Sequence, residues 1–296
     1  MTTRTRATLI GSIALLLWAT LALLTTISGK IPPFEMVAIT FAVAALAALA
    51  KWLVMREPVL PKLRQPGAAW ALGVYGLFGY HFLYFIALKQ APALEANLVN
   101  YLWPLLIVLF SALLPGERLL PRHIVGALSG LAGAALLVTN GQAVAFEARW
   151  LAGYAAALGC ALVWSSYSVA NRRFFAAVPT DAVGGFCAAT SILALACSLA
   201  FEQWLWPSPT EWLVLVAMGL GPLGLGFFVW DHGVKHGDIR TLGLLSYASP
   251  LMSTGLLILA GQAAFTATAA AACVLIVGGA LVGTGVVRLR KAQVAG

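Results

Sequence analysis

The sequence predicts an all-α polytopic membrane protein: ten transmembrane helices arranged as two inverted five-helix repeats. Three observations carry this expectation. Apolar residues make up 61% of the 296-residue chain and charged residues 9%, with a mean hydropathy of +0.92, whereas soluble domains carry about 25% charged residues. Long apolar runs recur at roughly the 17–25 residues that a bilayer requires, without the period-two alternation of a barrel strand. The basic residues behind the net charge of +8 sit in the short connections between those runs. That is the pattern of topology determinants, and it excludes nucleic acid as a partner.

Taken in order, the runs fall at 9–28, 34–55, 68–88, 93–114, 122–139, 150–170, 181–200, 210–231, 239–260 and 266–287. The first follows Arg4 and Arg6 as a signal peptide would. It is longer than a typical h-region and no A-x-A site follows, so it reads as an uncleaved span. Fifteen of the 18 Lys and Arg residues, from Arg4 and Arg6 through to Arg288, Arg290 and Lys291, fall on one side; Lys30, Lys89 and Arg149 fall on the other. The positive-inside rule then places both termini in the cytoplasm. Cys160, Cys187, Cys197 and Cys273 lie inside apolar runs without metal-binding spacing and read as small core residues.

A gapless shift of 146 residues pairs Trp18 with Trp164, Pro33 with Pro179, Gly73 with Gly219, Lys89 with Lys235, Tyr101 with Tyr247 and Pro104 with Pro250. Glu35 with Asp181, Tyr84 with Trp230 and Asn100 with Ser246 are conservative matches in the same register, and the fifth spans align less clearly near Gly133 and Gly279. The predicted halves are residues 1–140 and 150–296. Each holds an odd number of spans, so the second must enter the membrane from the opposite face. Inverted repeats of this kind are the mark of alternating-access transporters, with the substrate near the midplane where the halves meet.

These features, with the fourth-span prolines Pro104 and Pro250 and the stretch GERLLPRHIVGALSGLAGAALLV at 116–138, resemble the drug/metabolite transporter superfamily of EamA type. The segments YHFLYFIAL, NLVNYLWPL and VWSSYSVANRR, together with Trp18, are similar to the YddG group of aromatic amino-acid exporters of the bacterial inner (cytoplasmic) membrane. The second copy departs from the pattern where Gly116-Glu117 becomes Gly261-Gln262, which implies unequal gating by the two halves.

Polar and aromatic groups inside apolar runs mark the candidate substrate site, because they are costly against lipid and better placed facing a cavity. Trp18 and Trp103 lie mid-span, away from the interfacial belt. Trp164, Tyr167, Ser168 and Asn171 share one helical face. So do Asn97, Asn100, Tyr101 and Pro104, whose counterparts are Gly243, Ser246, Tyr247 and Pro250. Plain helix packing remains an alternative for the aromatic residues, and plain kinking for the two prolines. His81, beside Tyr80 and Tyr84, is open to packing, proton carriage or substrate hydrogen bonding; its aromatic neighbours and the family resemblance favour the last. Asp231, His232, His236 and Asp238 read as a solvated turn with no metal site. Glu35, Glu95, Asp181 and Glu211 lie within about a turn of span starts, where the helix dipole holds anions, and none reads as a mid-membrane relay.

The expected function is export of amino acids, chiefly Phe, Tyr and Trp with broad selectivity reaching lipophilic cations, through a central aromatic cavity. No cofactor is expected, and ten spans can enclose such a cavity within a monomer. Two alternatives are an exporter of other drugs or metabolites of the superfamily and, more remotely, an integral membrane enzyme. The first, for a phosphorylated substrate, needs a mid-span Lys or Arg cluster; the second needs a catalytic motif such as HExxH, GxSxG or a P-loop. The sequence contains neither.

Overall fold

A computed structural model describes residues 2–262 and 264–287; Arg288, Arg290 and Lys291, counted above for orientation, lie outside the described residues. Among the described residues the chain is helical, without strands. The long runs are α1 (Thr3–Ile27), α2 (Pro33–Val54), α3 (Gly67–Gln90), α4 (Ala93–Leu113) and α5 (Pro121–Thr139), then α6 (Leu151–Phe174). There follow α7 (Thr180–Phe201), α8 (Pro209–His236), α9 (Ile239–Leu259) and α10 (Ala267–Thr284). By length and composition nine of these can cross a bilayer. The exception is α6, which buries Ser165, Ser168 and Asn171 against protein. A helix shielded by its neighbours can carry polar residues that a lipid-facing one cannot.

Local chemistry sets the ends. Thr2 caps α1 by accepting the Thr5 N–H at 3.2 Å, so the helix begins six residues before the expected start at residue 9. Proline opens α2, α5 and α8, where its missing N–H costs nothing, and Ser208 with Glu211 forms a capping box at α8. Asn140 (φ 49°) and Gly285 (φ 79°) end α5 and α10 in the left-handed region. α8 runs on to His236, past the expected end at 231.

Irregularities recur at the 146-residue spacing. π-helical turns interrupt α3 at Tyr75–Gly79 and α8 at Gly221–Leu225. α4 breaks at Tyr101 and α9 at Tyr247. The two prolines explain the breaks: Pro104 and Pro250 have no N–H for the carbonyls four residues earlier, those of Asn100 and Ser246. Packing follows the same spacing, since α1 lies along α8 as α6 lies along α3, and α2 packs on α7 as α5 packs on α10. The α5–α10 contact is backbone to backbone: a Cβ on Gly126 would stand 2.5 Å from the Gly279 carbonyl oxygen.

Candidate substrate site

Rings from five helices converge around Trp18. Its ring centroid lies 5.6 Å from that of Trp164 on α6, 6.4 Å from Trp103 on α4, and 5.1 and 5.9 Å from Trp230 and Phe227 on α8. Its indole N–H donates to the Pro222 carbonyl at 3.0 Å. That acceptor sits in the π-helical turn of α8, where the regular backbone ladder is interrupted. From α3, Tyr80 packs 5.8 Å from Trp164 and stacks nearly parallel on Tyr84 at 6.0 Å. His81 is enclosed by Phe41 at 5.2 Å and Phe227 at 6.2 Å. Trp18, Tyr80, His81, Tyr84 and Tyr101 remain only half-buried at these mid-helix positions. The rings around Trp18 pack closely on it, at centroid separations of 5.1 to 6.4 Å.

The polar groups are few and specific. The His81 Nδ1–H donates to the Leu77 carbonyl at 2.7 Å; a carbonyl can only accept, so in the neutral ring Nε2 carries the lone pair. The Asn100 amide donates to the Tyr80 hydroxyl at 2.9 Å, but its Oδ1 is buried with no donor among the described residues. An orphaned buried acceptor is costly and calls for a partner. Tyr84 donates to Asn97 Oδ1 at 2.8 Å, and the Asn97 amide is bonded to the Ala93 carbonyl. The indole N–H of Trp230 reaches Ser168, whereas those of Trp103 and Trp164 meet no acceptor among the described residues.

The structure thus brings together Trp18, Tyr80, His81, Tyr84, Asn97, Asn100, Tyr101, Trp103 and Trp164. It places the remaining candidates in packing. Tyr167 is buried with its ring against Gly76, where a Cβ would stand 2.4 Å away. Ser168 and Ser246 are fully buried and bond to the Trp164 and Leu242 carbonyls of their own helices. Tyr247 is fully buried and its hydroxyl accepts the Leu105 N–H at 3.1 Å, just past the break in α4. Its register partner Tyr101 makes no such bond among the described residues and stays half-buried. Pro104 and Pro250 are buried beside the breaks they cause. Phe41, Phe227 and Trp230 complete the cage without having been singled out. For two of them the signal was present, because the 146-residue shift carries His81 and Tyr84 onto Phe227 and Trp230.

The solvated-turn reading of 231–238 is corrected. Asp231 is fully buried in the last turns of α8, accepting from Lys235 at 2.9 Å, Asn171 at 2.7 Å and Thr180 at 2.6 Å. Lys235 also donates to the Val178 carbonyl. Every charge is matched, which makes this burial tolerable. At the same end Glu117 takes Arg4 at 2.7 Å, Arg240 at 2.7 Å and Arg172 at 3.3 Å. Among the described residues no three His, Cys, Asp or Glu side chains converge as a metal site would require.

The profile of the EamA-like transporter family matches residues 5–139 and again 151–284. The chain belongs to that family: it is a multi-pass membrane protein of a transporter class, not an enzyme class. It is 54% identical over 282 residues to the aromatic amino acid exporter YddG of Ancylobacter novellus, covering 95% of this chain and 98% of that one. The aromatic amino acid exporter YddG of Escherichia coli K12 is 26% identical over 273 residues, covering 86% and 88%. A solved crystal structure at 53% identity superposes with a TM-score of 0.91, covering 97% of this chain and 100% of the other.

Proposed function

We propose that this protein exports amino acids across the bacterial inner membrane, aromatic ones foremost, by alternating access between two inverted five-helix halves. α6 supplies the tenth span, the halves are residues 1–140 and 150–296, and both termini face the cytoplasm. Matched π-turns, matched breaks and two family matches beginning 146 residues apart support the duplication. The name borne by the 54%-identical relative supports the substrate class.

The observation that carries the reading is the aromatic cage around Trp18 with one buried, unpartnered acceptor, Asn100 Oδ1, in its wall. An α-ammonium group supplies the missing donors to Asn100 Oδ1 and to His81 Nε2. The free indole N–H groups of Trp103 and Trp164 suit the carboxylate. The rings take an aromatic side chain edge-to-face, at about 0.5–1.5 kcal/mol per pair, and a lipophilic cation through comparable cation–π contacts. Few fixed charges and many apolar walls give broad selectivity. A phosphorylated substrate would need Lys or Arg in the cage, and none of its residues is either.

Flux of a panel of amino acids by purified protein in liposomes, with and without a pH gradient, tests this. Phenylalanine and tryptophan should move without the gradient. Trp164→Ala and His81→Ala should each weaken apparent affinity by about tenfold, the equivalent of one or two lost contacts. Failure to move any amino acid would discard the substrate class while leaving the architecture intact.

A further inference from the structure

A cleft of about 410 Å³ opens beside the ends of α1 and α8 that carry Arg6 and His236, away from the aromatic cage; Thr3, Arg6, Ala7, Ile10, His232 and His236 line it. Close helix contact creates it. A Cβ on Gly11 would stand 2.8 Å from the Gly233 Cα, so the two backbones nearly touch and neighbouring side chains splay to the flank. His232 and His236 are one turn apart with ring centroids separated by 5.0 Å. Arg4 is held by Glu117 and Asp238, but Arg6 has no carboxylate partner among the described residues, and no carboxylate lines the cleft. Asp231, the nearby acid, is engaged with Lys235, Asn171 and Thr180.

We propose that this cleft binds the phosphate of an anionic phospholipid drawn from the cytoplasmic leaflet. Arg6 presents a planar fork matched to phosphate oxygens. The two imidazole N–H groups and the Thr3 hydroxyl complete a donor set, and Ala7 and Ile10 give an apolar floor for the lipid beyond its headgroup. Basic residues at this boundary meet the negative surface potential of the leaflet. Paired imidazoles at this spacing also suit a divalent metal, but the guanidinium in the same cleft opposes a cation, and no third ligand converges among the described residues. The lipid source rests on the orientation proposed above.

The test is native mass spectrometry of the full chain in detergent, titrated with phosphatidylglycerol and separately with phosphatidylcholine. It is paired with thermal unfolding in each lipid and in inorganic phosphate. Arg6→Gln and the double variant His232→Gln/His236→Gln should bind phosphatidylglycerol more weakly, the arginine change by about fivefold. Phosphatidylcholine binding should be unchanged. Phosphatidylglycerol should raise the unfolding midpoint of the wild type where inorganic phosphate does not. Equal phosphatidylglycerol binding by wild type and variants overturns the site. Stabilisation by inorganic phosphate matching that by phosphatidylglycerol, and lost in Arg6→Gln, overturns the lipid source. A zinc-induced shift needing both histidines, with phosphatidylglycerol binding unaltered in their absence, overturns the ligand class. Matching midpoints of wild type and variants in phosphatidylcholine verify folding. Because binding is read in detergent, a wrong orientation leaves these results standing while a wrong site does not.

Discussion

The two ends of the helix bundle are held by different forces. At the end carrying Arg4, assigned here to the cytoplasm, charge joins distant segments. Glu117 gathers arginines from α1, α6 and α9, Asp231 gathers groups from α6, α7 and α8, and Asp181 takes both Lys51 and Lys62. At the other end Glu202 and Glu35 serve the backbone, while Glu147 pairs, among the described residues, only with its near neighbour Arg149. Glu202 accepts the Phe34 and Glu35 N–H groups at the start of α2, Glu35 accepts the Leu205 N–H at 2.9 Å, and the Tyr84–Asn97 bond is neutral. Both sets link segments far apart in the chain, but the first pairs opposite charges drawn from several helices, whereas the second pairs a carboxylate with backbone N–H groups. The difference predicts that the end carrying Arg4 is the harder of the two to separate.

The comparison is broken most severely at Lys235. Lys235→Met strands the buried Asp231 and should cost about 3–5 kcal/mol, read as a lowered unfolding midpoint in detergent. Adding Asp231→Asn should restore most of that loss. Lys89→Met, at the register-matched and exposed position, should stay within about 0.5 kcal/mol. Equal losses at both lysines would erase the proposed asymmetry. Next in size is Glu117→Gln, which weakens three charge-assisted contacts and should cost about 2 kcal/mol. Gln262→Glu in the second half should change stability by less than about 0.5 kcal/mol. At the other end Tyr84→Phe removes one neutral bond, worth about 1 kcal/mol, and should mildly lower the midpoint.

The smallest effect concerns acidity. Burial alone would raise the Asp238 carboxyl, but the Thr241 N–H bond and the Arg240 and Arg4 charges hold it below the ordinary aspartate range. A carboxyl depressed in the folded state contributes stability above its unfolded pKa of about 3.9 and loses it as pH falls through the lower folded value. The unfolding midpoint should therefore owe no slope to this group between pH 8 and 5. Below about pH 4 it should fall, and Asp238→Asn should remove part of that acid limb.

The sequence made the helical class plain because hydropathy is local, and it offered the 146-residue register through Trp, Tyr and Pro matches that stand out in an apolar background. Trp18 and Trp103 stood out by their depth in apolar runs, and Trp164 by the face it shares with Tyr167, Ser168 and Asn171. Asp231 was misread for an equally physical reason: His, Asp, Lys and Arg crowd residues 231–240 as they would in a loop, while the partners that allow burial, Asn171 and Thr180, lie 60 and 51 residues away. Ser246 and Tyr247 were legible as polar in a span, but not which way they would turn. The break in α4 leaves the Leu105 N–H for Tyr247 to satisfy, and that bond exists only once α4 and α9 are packed.

The π-helical turns carry a historical consequence. Such a turn is one residue of surplus in an otherwise regular helix, and the two stand at 75–79 and 221–225. On the duplicated reading, independent insertions at one equivalent place are a poorer account than inheritance. If the halves are duplicated copies, a common five-helix ancestor is expected to have carried the surplus residue as well. The two turns serve different partners: the carbonyl of Pro222 receives the Trp18 indole in one, while the equivalent turn in the other accommodates the ring of Tyr167 against Gly76.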